Sequence, residues 1–329
     1  MRKKPWRRRA AARISDDPLV FAGSGSPRLT RRIVDRLGVP LGRGEVLRFS
    51  EGTLFPRVLE NVRGRNVYVV QSTAFPANDN FMELLFWLDA LKRASAASVT
   101  AVIPYFAYAK GDKKDEPRVS IRARVCADAI EVAGADRVVA MDLHAPQISG
   151  FFHLPVDDLY AMPYLCDAIA AYGLADPVVV SPDAGFAKKA RRFASRLRAP
   201  LAIADKMRTG HDEHAEVTEV IGEVRGRDAI LVDDFTVSAG TLVEAANELT
   251  ARGARRVVAA VTHGVLAAGA AAAVAASPIE RLFVTDTVET SPEPAHERIQ
   301  VVSVAPLFAE AIRRIHNRES ISSLFDERP

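Results

Sequence analysis

The sequence predicts an α/β protein made of two doubly wound parallel-sheet domains, on three observations. Short apolar runs rich in β-branched residues recur along the chain, and helical patterns fall between them. The runs are continuously apolar rather than alternating, which suits strands covered on both faces. A length of 329 residues fits two domains at roughly 150 residues each.

In order, the strand candidates of the first half are Leu19–Ala22, Val67–Gln71, Val99–Ile103 and Val138–Met141, with helix candidates Pro27–Leu37, Asn80–Ala94 and Ser120–Ala133. The second half offers strands Val178–Ser181, Leu201–Ala204, Ile230–Val232, Val257–Val261 and Leu282–Thr285. Its helix candidates are Tyr164–Ala171, Ala184–Arg198, Gly240–Ala251 and Pro306–Asn317. No low-complexity linker marks the junction near residue 160, so the halves should pack closely. The expected division is a basic disordered tail over 1–17, domains over 18–160 and 161–317, and a C-terminal tail over 318–329.

Composition excludes several classes. Hydrophobic residues make up 48% and charged residues 26%, which rules out general disorder. The net charge of +3 hides an uneven distribution. Residues 1–13 hold seven Lys or Arg and no acid; taking those from 44 leaves 37 basic against 41 acidic residues. A body of net −4 gives no reason to expect a nucleic-acid binder, and the tail reads first as a solvated extension. Arg7–Arg9 resemble a twin-arginine start, but Ile14-Ser15-Asp16-Asp17-Pro18 stands where an export signal needs an apolar stretch. Val257–Ala276 comes closest to a membrane span, yet His263 and two glycines interrupt it. Cys126 and Cys166 make neither a disulfide framework nor a zinc motif. A reduced cytoplasmic protein is expected.

Ligands in such sheets sit at the carboxyl ends of strands. The strongest signal there is Ile230-Leu231-Val232-Asp233-Asp234-Phe235-Thr236-Val237-Ser238-Ala239-Gly240-Thr241. A buried strand delivers two carboxylates, which can accept hydrogen bonds from vicinal sugar hydroxyls. A loop of small residues then opens a helix, whose N–H groups and nearby hydroxyls suit a phosphate. The plainer alternative makes the Asp pair polar punctuation and Ser238 an N-cap. After Arg137–Ala140 come Asp142 and His144, which could face a polyphosphate or its metal; a structural His is the alternative. Asp183 ends another strand, and one carboxylate can suffice for magnesium. Lys206 and Arg208 put two cations at a fourth strand tip, suited to charge developing on a transferring phosphoryl group. Tyr105–Arg124 is charged and broken, so 105–119 should be a flexible loop whose cations either close over a polyanion or sit in solvent.

With these residues in view, the chain resembles the ribose-phosphate pyrophosphokinase (phosphoribosyl diphosphate synthetase) family, from about Val20 to about Phe325. Asp142–Phe152, Asn78–Leu84, Ser181-Pro182-Asp183, Asp233–Thr241 and Ala309–Arg314 carry the resemblance. It implies two domains of phosphoribosyltransferase type, a hexamer, and transfer of the diphosphoryl group of magnesium ATP to ribose 5-phosphate. It also implies roles. Lys206, Arg208, Lys110 and His144 would serve catalysis. Phe49, Glu51, Lys110, Asp112 and His144 would bind ATP, Phe49 and Glu51 from a neighbouring subunit. Asp233, Asp234, Ser238, Ala239, Gly240 and Thr241 would bind ribose 5-phosphate, and His144 and Asp183 the magnesium.

The departures from the family pattern cluster at the site. Lys110-Gly111 stands for Arg-Gln, and Thr53 for a second acid beside the adenine. Val237-Ser238-Ala239 stands for Asp-Thr-Gly. Lys keeps the charge but lacks the planar fork of Arg. Ala for Gly is tolerable while φ stays negative. Val for Asp loses a carboxylate, so altered contacts to sugar or metal are expected around an intact phosphate cradle. These changes keep two further readings open: a diphosphokinase for another sugar phosphate or nucleotide, and a non-catalytic regulatory paralogue. Two-domain length argues against a phosphoribosyltransferase.

Overall fold

The computed structural model describes residues 17–206, 217–290 and 296–325. The basic tail through residue 16 and Arg208 lie outside the described residues. The first half runs β1 (Leu19–Ala22), α1 (Pro27–Leu37), β2 (Gly44–Arg48), β3 (Leu54–Val58), β4 (Asn66–Val70), α2 (Ala77–Arg93), β5 (Ser98–Ile103), α3 (Arg122–Val132), β6 (Arg137–Met141) and β7 (Val156–Leu159). The second runs α4 (Met162–Tyr172), β8 (Pro177–Ser181), α5 (Ala187–Leu197), β9 (Leu201–Lys206), β10 (Val217–Ile221), β11 (Asp228–Thr236), α6 (Gly240–Ala251), β12 (Arg256–Gly264), α7 (Ala270–Ala276), β13 (Ile279–Thr285), β14 (Ile299–Val302) and α8 (Ala305–His316).

Two sheets result. The first is parallel in the order β1-β4-β5-β6-β7, and the second is ordered β10-β9-β8-β11-β12-β13-β14. In the second sheet the chain runs outward from β8 in one direction and from β11 in the other. The switch point between them opens the crevice where α/β ligands bind. It is flanked by the tips that carry Asp183 and Asp233.

Within these two sheets the expected parallel pairing holds except at β10, which pairs antiparallel with β9. A strand at the edge can return by a simple excursion and needs no crossover helix. Four further strands lacked a continuous apolar run. β2 and β3 form a separate antiparallel hairpin, while β7 and β14 lie at sheet edges. The Val257–Ala276 run divides into β12 and α7. Among the described residues no helix is long and apolar enough to cross a membrane.

Local sequence explains the elements. α1 starts at Pro27, whose missing N–H costs nothing in a first turn, and buries Leu29, Ile33 and Val34 on one face. It stops at Gly38, left-handed at φ 71°, where Val39 N–H donates to Val34 O at 3.1 Å.

The halves share a core. Leu29 and Ile33 of α1, Val139 of β6, Leu165 of α4, Phe193 of α5 and Phe308 of α8 belong to one buried cluster. Polar contacts reinforce it: Glu289 pairs with Arg28 at 3.1 Å and accepts from Leu29 N–H at 2.7 Å, and Arg32 pairs with Asp286 at 2.8 Å. Residues 318–325, expected as part of a tail, fold back on this region, and the Phe325 ring meets Tyr160 at 6.3 Å.

The segment 105–119 divides in two. Phe106, Ala107, Gly111 and Asp112 are buried, with a 3₁₀ turn at Ala109–Gly111. Residues 113–118 are exposed. The expectation that the whole segment is too charged to pack therefore fails for its first half. The reason is its aromatic content: Phe106 packs on Phe152 with centroids 6.3 Å apart, and Tyr108 on Phe81 at 6.2 Å.

Candidate active site

β6 and β11 belong to different sheets, yet their carboxyl ends meet around a cavity of about 320 Å³. β6 delivers Asp142 and His144, β11 delivers Asp234, Phe235 and Val237, and the loop after β5 delivers Tyr105 and Lys110. Asp142 sits at φ 44°, a left-handed position that Asp tolerates better than most residues. Its carboxylate accepts from Ala161 N–H at 3.0 Å and from the Thr262 hydroxyl at 2.7 Å. That ties the tip of β6 to β12.

His144 Nδ1 lies 2.8 Å from Asp234 Oδ2. Lys189 Nζ, reaching in from α5, lies 3.8 Å from the same oxygen and donates to the Leu143 and His144 carbonyls at 3.2 Å each. Burial works against charge on Asp234, but His144 and Lys189 outweigh it and hold its pKa below the ordinary value. Asp233 moves the opposite way. Burial, and then the neighbouring Asp234 charge, push it well above the carboxylate range. The two carboxyls are thus driven apart, Asp234 toward the anion and Asp233 toward the acid. With Asp234 ionised, His144 Nδ1–H donates to it.

His263, on β12, is buried and stays neutral. Burial lowers it to about 4. Its Nε2–H donates to the Met141 carbonyl at 3.1 Å and its Nδ1 accepts from the Thr287 hydroxyl at 2.9 Å. Its ring meets Tyr105 at 5.0 Å, which braces the loop after β5. Lys110 Nζ stands 4.1 Å above the Phe235 ring, a cation–π contact that links this loop to the tip of β11.

Other expected site residues fall elsewhere. Asp112 is buried, and its carboxylate accepts from Gln147 Nε2 at 2.8 Å. Phe49 and Glu51 lie at the hairpin end and do not line the cavity. Phe49 packs on Phe55 at 5.9 Å and Glu51 accepts from the Thr53 hydroxyl at 2.7 Å. Thr53 thus supports the acid next to it. Lys206 ends β9.

In the loop into α6, the Ser238 hydroxyl accepts from Gly240 N–H at 3.3 Å. Ala239 has φ 64°, which corrects the condition of a negative φ. The turn into α6 demands the left-handed conformation even though a methyl group stands where glycine is easier.

The residues fit magnesium as a sparsely held ion. Asp183 is exposed, and among the described residues its carboxylate is engaged through Oδ1, by Phe186 N–H at 2.8 Å. Its charge also raises the neighbouring Asp233, a repulsion that a cation would relieve. Among the described residues no three His, Cys, Asp or Glu side chains converge. Magnesium retains waters and takes substrate phosphates as ligands, whereas a closed zinc site needs more protein donors.

Sequence reasoning missed Lys189 and His263. Lys189 belongs to a Lys-Lys-Ala-Arg-Arg run that reads as a solvated face, and His263 read only as an interruption in an apolar run.

The chain is similar to known proteins over most of its length. A family model described as the N-terminal domain of ribose phosphate pyrophosphokinase matches residues 19–134. One described as a phosphoribosyl synthetase-associated domain matches residues 211–326. A ribose-phosphate pyrophosphokinase of Caldanaerobacter subterraneus subsp. tengcongensis is 49% identical over 315 residues, covering 95% of this chain and 99% of the relative. One from Rhizobium meliloti is 49% identical over 310 residues, covering 93% and 99%. The crystal structure of phosphoribosylpyrophosphate synthetase from Mycobacterium smegmatis superposes with a TM-score of 0.86 at 38% identity, covering 92% of this chain and 99% of that one. Identity of this extent, over a site joined from both halves, places the chain in the ribose-phosphate pyrophosphokinase family.

Proposed function

We propose that the protein transfers the diphosphoryl group of magnesium ATP to the anomeric hydroxyl of ribose 5-phosphate, giving 5-phosphoribosyl 1-diphosphate and AMP. One observation carries the reading: a single cavity joins Lys110 and His144 of the first half to Asp234 of the second, in a chain so close to named pyrophosphokinases. Asp234 and Asp233 hydrogen-bond the two neighbouring ribose hydroxyls. The Ser238–Thr241 loop at the start of α6 receives the 5-phosphate. Lys110 and His144 contact the ATP phosphates, and Lys206 and Arg208 the group in transfer. Phe49, Glu51 and Asp112 belong to nucleotide binding, Phe49 and Glu51 toward a neighbouring subunit of a hexamer.

Magnesium held by Asp183 and His144 would neutralise phosphate charge. Positioning and charge stabilisation supply most of the rate in such transfers. Cys126 and Cys166 are buried free thiols, which supports a reducing, cytoplasmic setting. No nucleic-acid or membrane partner is proposed.

The test is to incubate the purified protein with magnesium, ATP and ribose 5-phosphate and assay AMP and phosphoribosyl diphosphate. A folded protein that forms no AMP would sink the reading and leave the regulatory one. Activity with another sugar phosphate or nucleotide alone would move the substrate assignment. In an active enzyme, Lys206→Ala should lower kcat by roughly 10²–10³-fold.

A further inference from the structure

One cation in the cavity has no role so far. Arg122, the first residue of α3, lines the same space as Lys110 and His144. Gly111, in the turn that precedes the exposed stretch, packs directly on it. A Cβ at position 111 would stand 2.6 Å from Arg122 Nε and 2.8 Å from Arg122 Cβ. The φ of Gly111 lies outside the left-handed region, so its backbone does not call for glycine; the space does. The loop gives up a side chain at 111, and the stem and guanidinium of Arg122 fill the gap.

Two helix positions close together use arginine differently. Arg124 is committed to structure and pairs with Asp128 at 2.7 Å. Arg122 is exposed and makes no ion pair with a described residue. A guanidinium is always charged and presents a planar fork that matches two phosphate oxygens at once, which an ammonium cannot do. Lys110 supplies an ammonium only.

We propose that Arg122 is a polyphosphate ligand of the nucleotide site, seated in the space left by Gly111 and gripping the triphosphate of ATP bidentately. The ligand class is a nucleoside triphosphate, and the identity of the nucleotide rests on the diphosphokinase reading.

The experiment measures equilibrium binding of magnesium ATP and of AMP by calorimetry, without ribose 5-phosphate. It compares the full-length protein with Arg122→Gln, which keeps the stem against Gly111 and removes the charge. ATP binding should weaken by roughly 10- to 100-fold, the scale of a lost charge-assisted contact, while AMP binding hardly changes. Arg122→Lys should recover part of the loss. Gly111→Ala, which invades the seat but leaves the charge, should also weaken ATP binding. Unchanged ATP binding in Arg122→Gln, or equal weakening for ATP and AMP, would overturn the proposal. Because the readout is binding, the two readings fail separately. A protein that binds ATP through Arg122 but forms no AMP loses only the activity, and an active protein indifferent to Arg122→Gln loses only this site.

Discussion

The tip of β11 and the loop after β5 face one another across one cavity and are built on opposite terms. At the tip, Asp234 is 6% exposed, and its carboxylate meets His144, Lys189 and Phe235 N–H. In the loop, residues 113–118 are exposed, and Lys110 rests on the face of an aromatic ring. Buried, partnered charge is fixed before a substrate arrives and needs no reorganisation during reaction. Charge on a soft contact can follow a substrate as a lid does. On the proposed assignment, the contrast teaches that the sugar side of the site is preformed, whereas the phosphate side is completed by its ligand.

Breaking the fixed side should cost most. Asp234→Asn removes the anion that His144 and Lys189 face, and kcat/KM for ribose 5-phosphate should fall by roughly 10²–10³-fold. A loss of less than about tenfold in steady-state kinetics would reverse the comparison.

The fixed side also carries a burial cost that pH can reveal. Asp158 accepts from Leu143 N–H at 3.0 Å. Burial and then Asp142 push its pKa up from 3.8 to about 7. The native state thus binds this proton more tightly than the unfolded chain does. The resulting stability is present below the ordinary carboxylate pKa and is lost as pH rises toward about 7. Asp158→Asn keeps an acceptor without the titration. It should stabilise the protein at pH 8 by on the order of 4 kcal/mol and change little at pH 4. Denaturant midpoints at the two pH values check this, and equal shifts at both would refute it.

The soft side should respond weakly. Phe235→Leu removes the ring beneath Lys110 and should raise the KM for ATP by about three- to tenfold, with Phe235→Tyr restoring it. If Tyr does not rescue, the ring acts through packing alone.

The smallest effect is expected at Ala239. Glycine there relieves left-handed strain of ~1–2 kcal/mol but loses a buried methyl worth ~0.8 kcal/mol and some chain stiffness. Ala239→Gly should shift stability upward by less than ~1 kcal/mol. A fall in melting temperature of several degrees would contradict the left-handed turn.

Strand tips were legible because a buried apolar run that ends in Asp-Asp or in Asp-Leu-His leaves few places for those side chains. The members of the hairpin were not. β2 reads Gly-Glu-Val-Leu-Arg and β3 carries Pro56, so neither shows a continuous apolar run. β7 reads Val-Asp-Asp-Leu, and its acids look like loop until an edge position explains them. Lys189 shows the deeper limit. Its neighbours Lys188, Arg191 and Arg192 share its chemistry, and the approach of β6 to β11 decides which of them reaches Asp234. The φ of Ala239 was hidden for a similar reason, since the entry angle of α6, and not the alanine, sets the turn.

The shared core has a consequence for synthesis. Phe308 and Ile312 of α8 belong to the same cluster as Leu29 and Ile33 of α1 but are made about 280 residues later. At ~5–20 residues per second, the interval is on the order of 15–60 s. During that time the nascent first half carries an apolar stripe without its α8 cover. A stop codon placed before α8 would therefore remove more than a C-terminal helix, leaving the first half with an uncovered, aggregation-prone face.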